Sequence, residues 1–147
     1  MSTNRKILKV LSIISLVIDI LCVVFGAVLF FAVALNPETA LEVAAKNPVA
    51  NFTGNETVGM LLAMSILAVV FGLWDTFVSF MGIRGANNPS KMGFVTVIAG
   101  ISLAISVVGV IASVVAGSFS LSELSGAALD AIFFYICYTV REEGKKA

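Results

Sequence analysis

Along most of this chain the hydrophobic positions do not alternate with polar ones; they gather into four long runs, about 7–35, 58–83, 92–117 and 121–140. About 20 consecutive apolar residues cross the hydrocarbon core of a bilayer as a helix, so each run predicts a spanning helix, some with length to spare for tilt. Arg5 and Lys6 precede the first run, and Ala32-Val33-Ala34 resembles a leader cleavage site. A signal core holds about 7–15 apolar residues, however, and this run is far longer, so it reads as a retained helix.

The polar residues between the runs supply helix ends. Thr53-Gly54-Asn55-Glu56 and Ser120-Leu121-Ser122-Glu123 both read as capping boxes, before the second and fourth spans. Asn88 followed by Pro89 suits an N-cap with proline at the first helical position, opening the third. Only Gly117 to Ser120 joins the third and fourth spans, which predicts a tight antiparallel hairpin. The segment Asn36 to Thr57 is the one sizeable loop. A short helix on the outer surface is expected from Asn36 to about Lys46, ended by Asn47-Pro48. Asn51-Phe52-Thr53 and Asn55-Glu56-Thr57 match the N-glycosylation pattern and read as chance matches.

Within the apolar runs, small and polar residues recur at spacings of three and four. The first run carries Ser12, Ser15, Asp19, Cys22 and Gly26; the second Ser65, Ala68, Gly72, Asp75, Ser79 and Gly82. The third carries Ala99, Ser102, Ser106, Gly109, Ser113 and Ala116, and the fourth a weaker series of Glu123, Gly126, Asp130, Phe133 and Cys137. A period of 3.5 residues runs a seam along a left-handed supercoil. In lipid, helices associate through close backbone approach and hydrogen bonds, so small residues favour interfaces. The expected fold is an all-α membrane protein: a single domain over residues 1–147, forming a left-handed antiparallel four-helix transmembrane bundle. Its seams face inward, and Leu, Ile, Val and Phe face lipid.

Composition agrees with this class. Of 147 residues, 59% are hydrophobic and 12% charged. A soluble domain carries about 25% charged residues. The formal net charge is zero, so no basic surface points to nucleic acid. There is no histidine, hence neither the commonest general base nor the commonest metal ligand. Cys22 and Cys137 fall inside apolar runs with no Cys-x-x-Cys pair and read as packing residues. The sequence offers no cofactor, metal or catalytic set.

The distribution of charge sets an orientation. Arg5 and Lys6 precede the first run and Lys9 stands at its start, Arg84 and Lys91 flank the connection between the second and third, and Arg141, Lys145 and Lys146 follow the fourth. If all four spans cross, these eight of the nine basic residues share one side, and Lys46 alone lies opposite. The positive-inside rule then places both termini in the cytoplasm and loop 36–57 outside.

Three aspartates interrupt the runs: Asp19, Asp75 and Asp130. They lie ten, nine and eleven residues from Lys9, Arg84 and Arg141, or about 15, 14 and 16 Å at the helical rise. A single layer near mid-membrane is therefore expected. Each aspartate at a helix centre costs about 2.5–3.5 kcal/mol to insert, and no basic residue lies deep within the spans to offset it. Three arrangements are open. The acids are protonated and bonded to one another and to Ser15, Ser79, Ser102 or Ser106; or they hold a cation; or they line a hydrated cavity. Glu123 belongs to a capping box instead. Trp74 suits a lipid-facing position, and Tyr135 and Tyr138 suit anchors at the inner boundary.

The inner connection from Arg84 to Lys91 reads either as a docking or phosphate-contacting loop or as a well-formed turn with two basic anchors. With its flanks, "GIRGANNPSKMG" and the four-span layout resemble uncharacterised small four-span membrane proteins of gut actinobacteria. That resemblance implies a bacterial inner (plasma) membrane and no particular activity.

Function classes can be narrowed. An intramembrane aspartyl protease needs Gly-x-Gly-Asp, but Asp75 follows Gly-Leu-Trp and Asp130 follows Ala-Ala-Leu. A proton-translocating proteolipid has a dense glycine pattern in its inner helices, which is missing here. Tetraspanins need a large second outer loop with cysteines, where this chain has about four residues. The expected function is a non-catalytic scaffold or accessory subunit in the bilayer, alone, as a homo-oligomer or with another membrane protein. The alternative is a small proton or cation pathway using Asp19, Asp75 and Asp130.

Overall fold

The computed structural model describes residues 2–38, 41–42, 54–117 and 120–146. These are almost entirely helical, with no strand among them. Helix α1 is Thr3–Leu35 and α2 is Gly54–Asn87; one 3-10 turn, Pro89–Lys91, leads into α3, Met92–Val115, and α4 is Leu121–Lys146. All four helices are long and apolar enough to cross a membrane. Pro37, Glu38, Leu41 and Glu42 have helical backbone. The rest of the expected outer helix lies outside the described residues, as do Thr53 of the first capping box and the Asn51 match.

The helices outrun the apolar stretches at the end that carries the basic residues. α1 begins at Thr3 rather than near Ile7, α2 continues past Ile83 to Asn87, and α4 passes Val140 to reach Lys146. Hydropathy locates only the part that lipid would surround, whereas a helix continues until its last carbonyls are capped. α2 ends where the Arg5 side chain takes over: its Nε donates to the Ala86 carbonyl at 2.9 Å and its Nη2 to the Asn87 carbonyl at 3.1 Å. The expected inner loop thus shrinks to Asn88 and a single turn. Asn88 is indeed an N-cap before proline, but of the 3-10 turn, its Oδ1 accepting from Ser90 N and Ser90 Oγ. α3 stops at Val115, two residues before the expected limit. Gly117 adopts φ +70°, a left-handed conformation that glycine takes without strain, and so breaks the helix. The second capping box forms as expected. Glu123 N donates to Ser120 Oγ, and Ser120 N donates back to Glu123 Oε2.

The chain divides into two compact units, with boundaries inside α1 and α2. One unit comprises Met1–Leu16 and Phe77–Ala147. It contains the start of α1, the end of α2, the 3-10 turn, α3 and α4. Its buried side chains include Leu8, Met92, Val95, Cys137 and Val140, together with Ser12, Ser79, Thr96 and Ser102. Bulky residues are therefore enclosed beside small ones, where the seam pattern expects small residues alone. The other unit, Val17–Thr76, pairs the remainder of α1 with the remainder of α2. Among its described residues the buried positions are Gly26, Val33, Ser65 and Gly72. Long apolar side chains such as Leu21, Phe25, Leu67 and Phe71 are exposed there, as lipid-facing residues should be.

Candidate functional site

The seven polar residues proposed for a mid-membrane site fall on both sides of the division. Asp130, Ser15, Ser79, Ser102 and Ser106 belong to the first unit; Asp19 and Asp75 belong to the second. In the first unit the Ser106 hydroxyl on α3 donates to Asp130 Oδ2 on α4. The bond joins two neighbouring helices of that unit. Ser79 and Ser102 are buried and hydrogen-bonded or otherwise engaged, and Ser15 is half-buried.

In the second unit the helices approach through glycine. A Cβ at Gly72 would lie 2.8 Å from Val23 Cγ2 and 3.5 Å from the Asp19 carbonyl oxygen. The α1 backbone at Asp19 therefore passes α2 one turn from Asp75. Asp19 is half-buried, and both acids are engaged in polar or electrostatic interactions. Asp75 is exposed, contrary to the expectation that its seam is covered. Spacings of four and three put Asp75, Ser79 and Gly82 on one line of α2. That line is covered at Gly82 by Ser12 and Phe133, whereas Asp75 is exposed. Other seam positions are open too: Cys22, Gly109 and Gly126 are exposed. Trp74 is half-buried, whereas Tyr135 and Tyr138 are exposed as boundary residues would be.

Three of the buried hydroxyls turn back onto helix carbonyls. Ser65 Oγ donates to the Leu62 carbonyl and Ser113 Oγ to that of Val110. Thr96 Oγ1 donates to Met92 O at 2.7 Å and also reaches Cys137 O on α4 at 3.4 Å. Such bonds satisfy a hydroxyl where water is absent. Ser12 Oγ is fully buried against Gly82 with no hydrogen-bond partner.

A second polar cluster, at the basic end of the first unit, was not anticipated from the sequence. Glu143, beyond the apolar run that ends at Val140, accepts from Ser2 Oγ at 2.6 Å and from Asn4 Nδ2. Arg5, one residue on, caps α2. Gly144 lies against Pro89, where a Cβ would approach the proline Cβ to 3.3 Å. The start of α1, the end of α2, the 3-10 turn and the end of α4 are thus clasped together. The Ser2 and Asn4 hydrogen bonds, aided by the Arg5 charge, hold the Glu143 carboxyl below its ordinary value against a small opposing effect of burial. The usable signal in the sequence was the topology itself: it puts Ser2, Asn4 and Glu143 just beyond the first and fourth spans at the same end. Among the described residues no group of three or more acidic, cysteine or histidine side chains could hold a metal ion.

Comparison with known proteins finds no matching family model, no similar curated protein and no similar solved structure.

Proposed function

We propose that this chain is a non-catalytic multi-pass protein of a bacterial inner membrane, serving as a scaffold or accessory subunit. Its termini are cytoplasmic, loop 36–57 is outside with a short surface helix, and the spans form one left-handed antiparallel bundle. The bilayer is its solvent, and its partners are further copies of itself or another membrane protein. The observation that carries this reading is the Ser106–Asp130 bond: a carboxyl within the span is used to join α3 to α4. An intramembrane acid held by an adjacent helix contributes cohesion without needing a transported ion. The competing use of the acids is a proton or cation pathway.

Reconstitution into liposomes separates the two. Under an imposed potential, proton and monovalent-cation flux should match that of empty vesicles for the wild type and for the Asp19→Asn, Asp75→Asn and Asp130→Asn triple variant. The triple variant should instead melt at a lower temperature in detergent. A wild-type flux abolished by the triple substitution, with the protein still folded, would replace the scaffold by a transporter.

A further inference from the structure

The clasp also sorts the charges at its end of the molecule. Arg5 is committed to the Ala86 and Asn87 carbonyls, and Lys145 to Glu142, whose Oε1 lies 2.6 Å from its Nζ. Glu143 is committed to Ser2 and Asn4. Both acids of this end are thereby occupied. Lys6, Lys9, Arg84, Lys91 and Arg141 have no carboxylate partner among the described residues. These five cations come from the start of α1, the end of α2, the 3-10 turn and the end of α4, the four elements that the clasp ties together. Lys9, Lys91 and Arg141 are half-buried, as expected for side chains whose stems lie along protein and whose heads sit at a polar boundary.

We propose that this end of the first unit is a binding surface for the headgroups of anionic phospholipids. The inference rests on the membrane reading above and adds a ligand to it. A cluster of cations fixed at the ends of spanning helices meets the phosphodiesters of the adjacent leaflet before any other anion, and charge complementarity with a phosphatidylglycerol-type headgroup is direct. Basic residues placed only to orient the chain need no fixed geometry. Here a clasp ties together the four elements that carry these cations.

The test is native mass spectrometry of the detergent-purified protein titrated with phosphatidylglycerol or phosphatidylcholine. Topology and ion flux play no part in this readout, so it can fail while the scaffold reading stands, and the reverse. Phosphatidylglycerol should be retained in preference to phosphatidylcholine, and added salt should erode the preference. Each cation neutralised among Lys9→Gln, Arg84→Gln and Lys91→Gln should weaken retention about fivefold. Lys46→Gln, in the opposite loop, should leave it unchanged. Equal retention of the two lipids, or a preference untouched by the triple substitution, overturns the proposal. So does displacement of the lipid by millimolar inorganic phosphate, which would indicate a free-phosphate site, or retention of an acidic protein in its place. Should the triple variant fail to fold, the wild-type salt titration decides: a salt-insensitive preference is equally fatal.

Discussion

The two units use different means to hold helices together. In Val17–Thr76, two helix segments meet through glycine: Gly72 rests on Val23, and Gly26 lies so close that a Cβ would come within 3.1 Å of Ala68 and 3.2 Å of the Ser65 carbonyl oxygen. Little side chain is enclosed, and most Leu, Phe and Val residues point outward. In the other unit several elements surround a common centre, so Leu8, Met92, Val95 and Val140 become fully or almost fully enclosed. Polar bonds then cross between helices, from Ser106 to Asp130 and from Thr96 to the Cys137 carbonyl. Two helices alone cannot surround a bulky residue, so backbone proximity is the cohesion left to them. Four or five elements can, and they combine side-chain packing with hydrogen bonds.

The largest effect that would break or sharpen this contrast is expected from glycine replacements. At Gly82 a Cβ would collide with Ser12 Oγ and approach Phe133 Cζ to 2.8 Å, with elements on several sides. Gly82→Leu should therefore cost about 3 kcal/mol, the upper range for overpacking. Gly72→Leu should cost about 1 kcal/mol, because a pair of helices can separate locally into lipid. Thermal unfolding in detergent checks both. Equal losses would mean that the second unit is as enclosed as the first.

A smaller effect belongs to the bond between α3 and α4. A double-mutant cycle of Ser106→Ala with Asp130→Leu should give a coupling of about 1 kcal/mol, typical of a strong interhelical hydrogen bond in lipid. A coupling near zero would remove Asp130 from the cohesion of the first unit.

The smallest effect concerns the clasp. Because the Glu143 carboxyl is depressed on folding, its contribution is fully present above the ordinary carboxylate value and is lost as pH falls through the depressed one. Spin labels at Thr3 and Tyr138, both exposed, should separate on acidification in the wild type. In Glu143→Gln the distance should be broader at neutral pH and insensitive to acid. A distance that is fixed at every pH would show that packing, not Glu143, joins the two ends.

Much of this was legible along the chain, for identifiable reasons. Apolar length marked the four helices, because hydrocarbon leaves a backbone no choice but internal hydrogen bonding. Ser120 and Glu123 announced the start of α4, since a capping box is local chemistry between residues three apart. Helix ends at the basic end were misjudged, because Arg5 caps α2 from more than eighty positions away. The aspartates were harder still. Depth along a helix follows from residue count, but exposure depends on how many neighbours stand at that depth. The same line of α2 is therefore covered at Gly82 and open at Asp75.

The sequence by itself determined that the chain has four helices able to span a membrane, where small residues recur on them, and that basic residues gather beside alternate ends. These are consequences of hydropathy, period and charge, each a property of residues close together in the chain. Only the tertiary structure decided that Glu143 would meet Ser2 and Asn4, that Asp130 would take Ser106 as its partner, and that five cations would have no carboxylate partner among the described residues. Those outcomes depend on which helix faces meet, and helix packing is set by contacts between residues far apart in sequence.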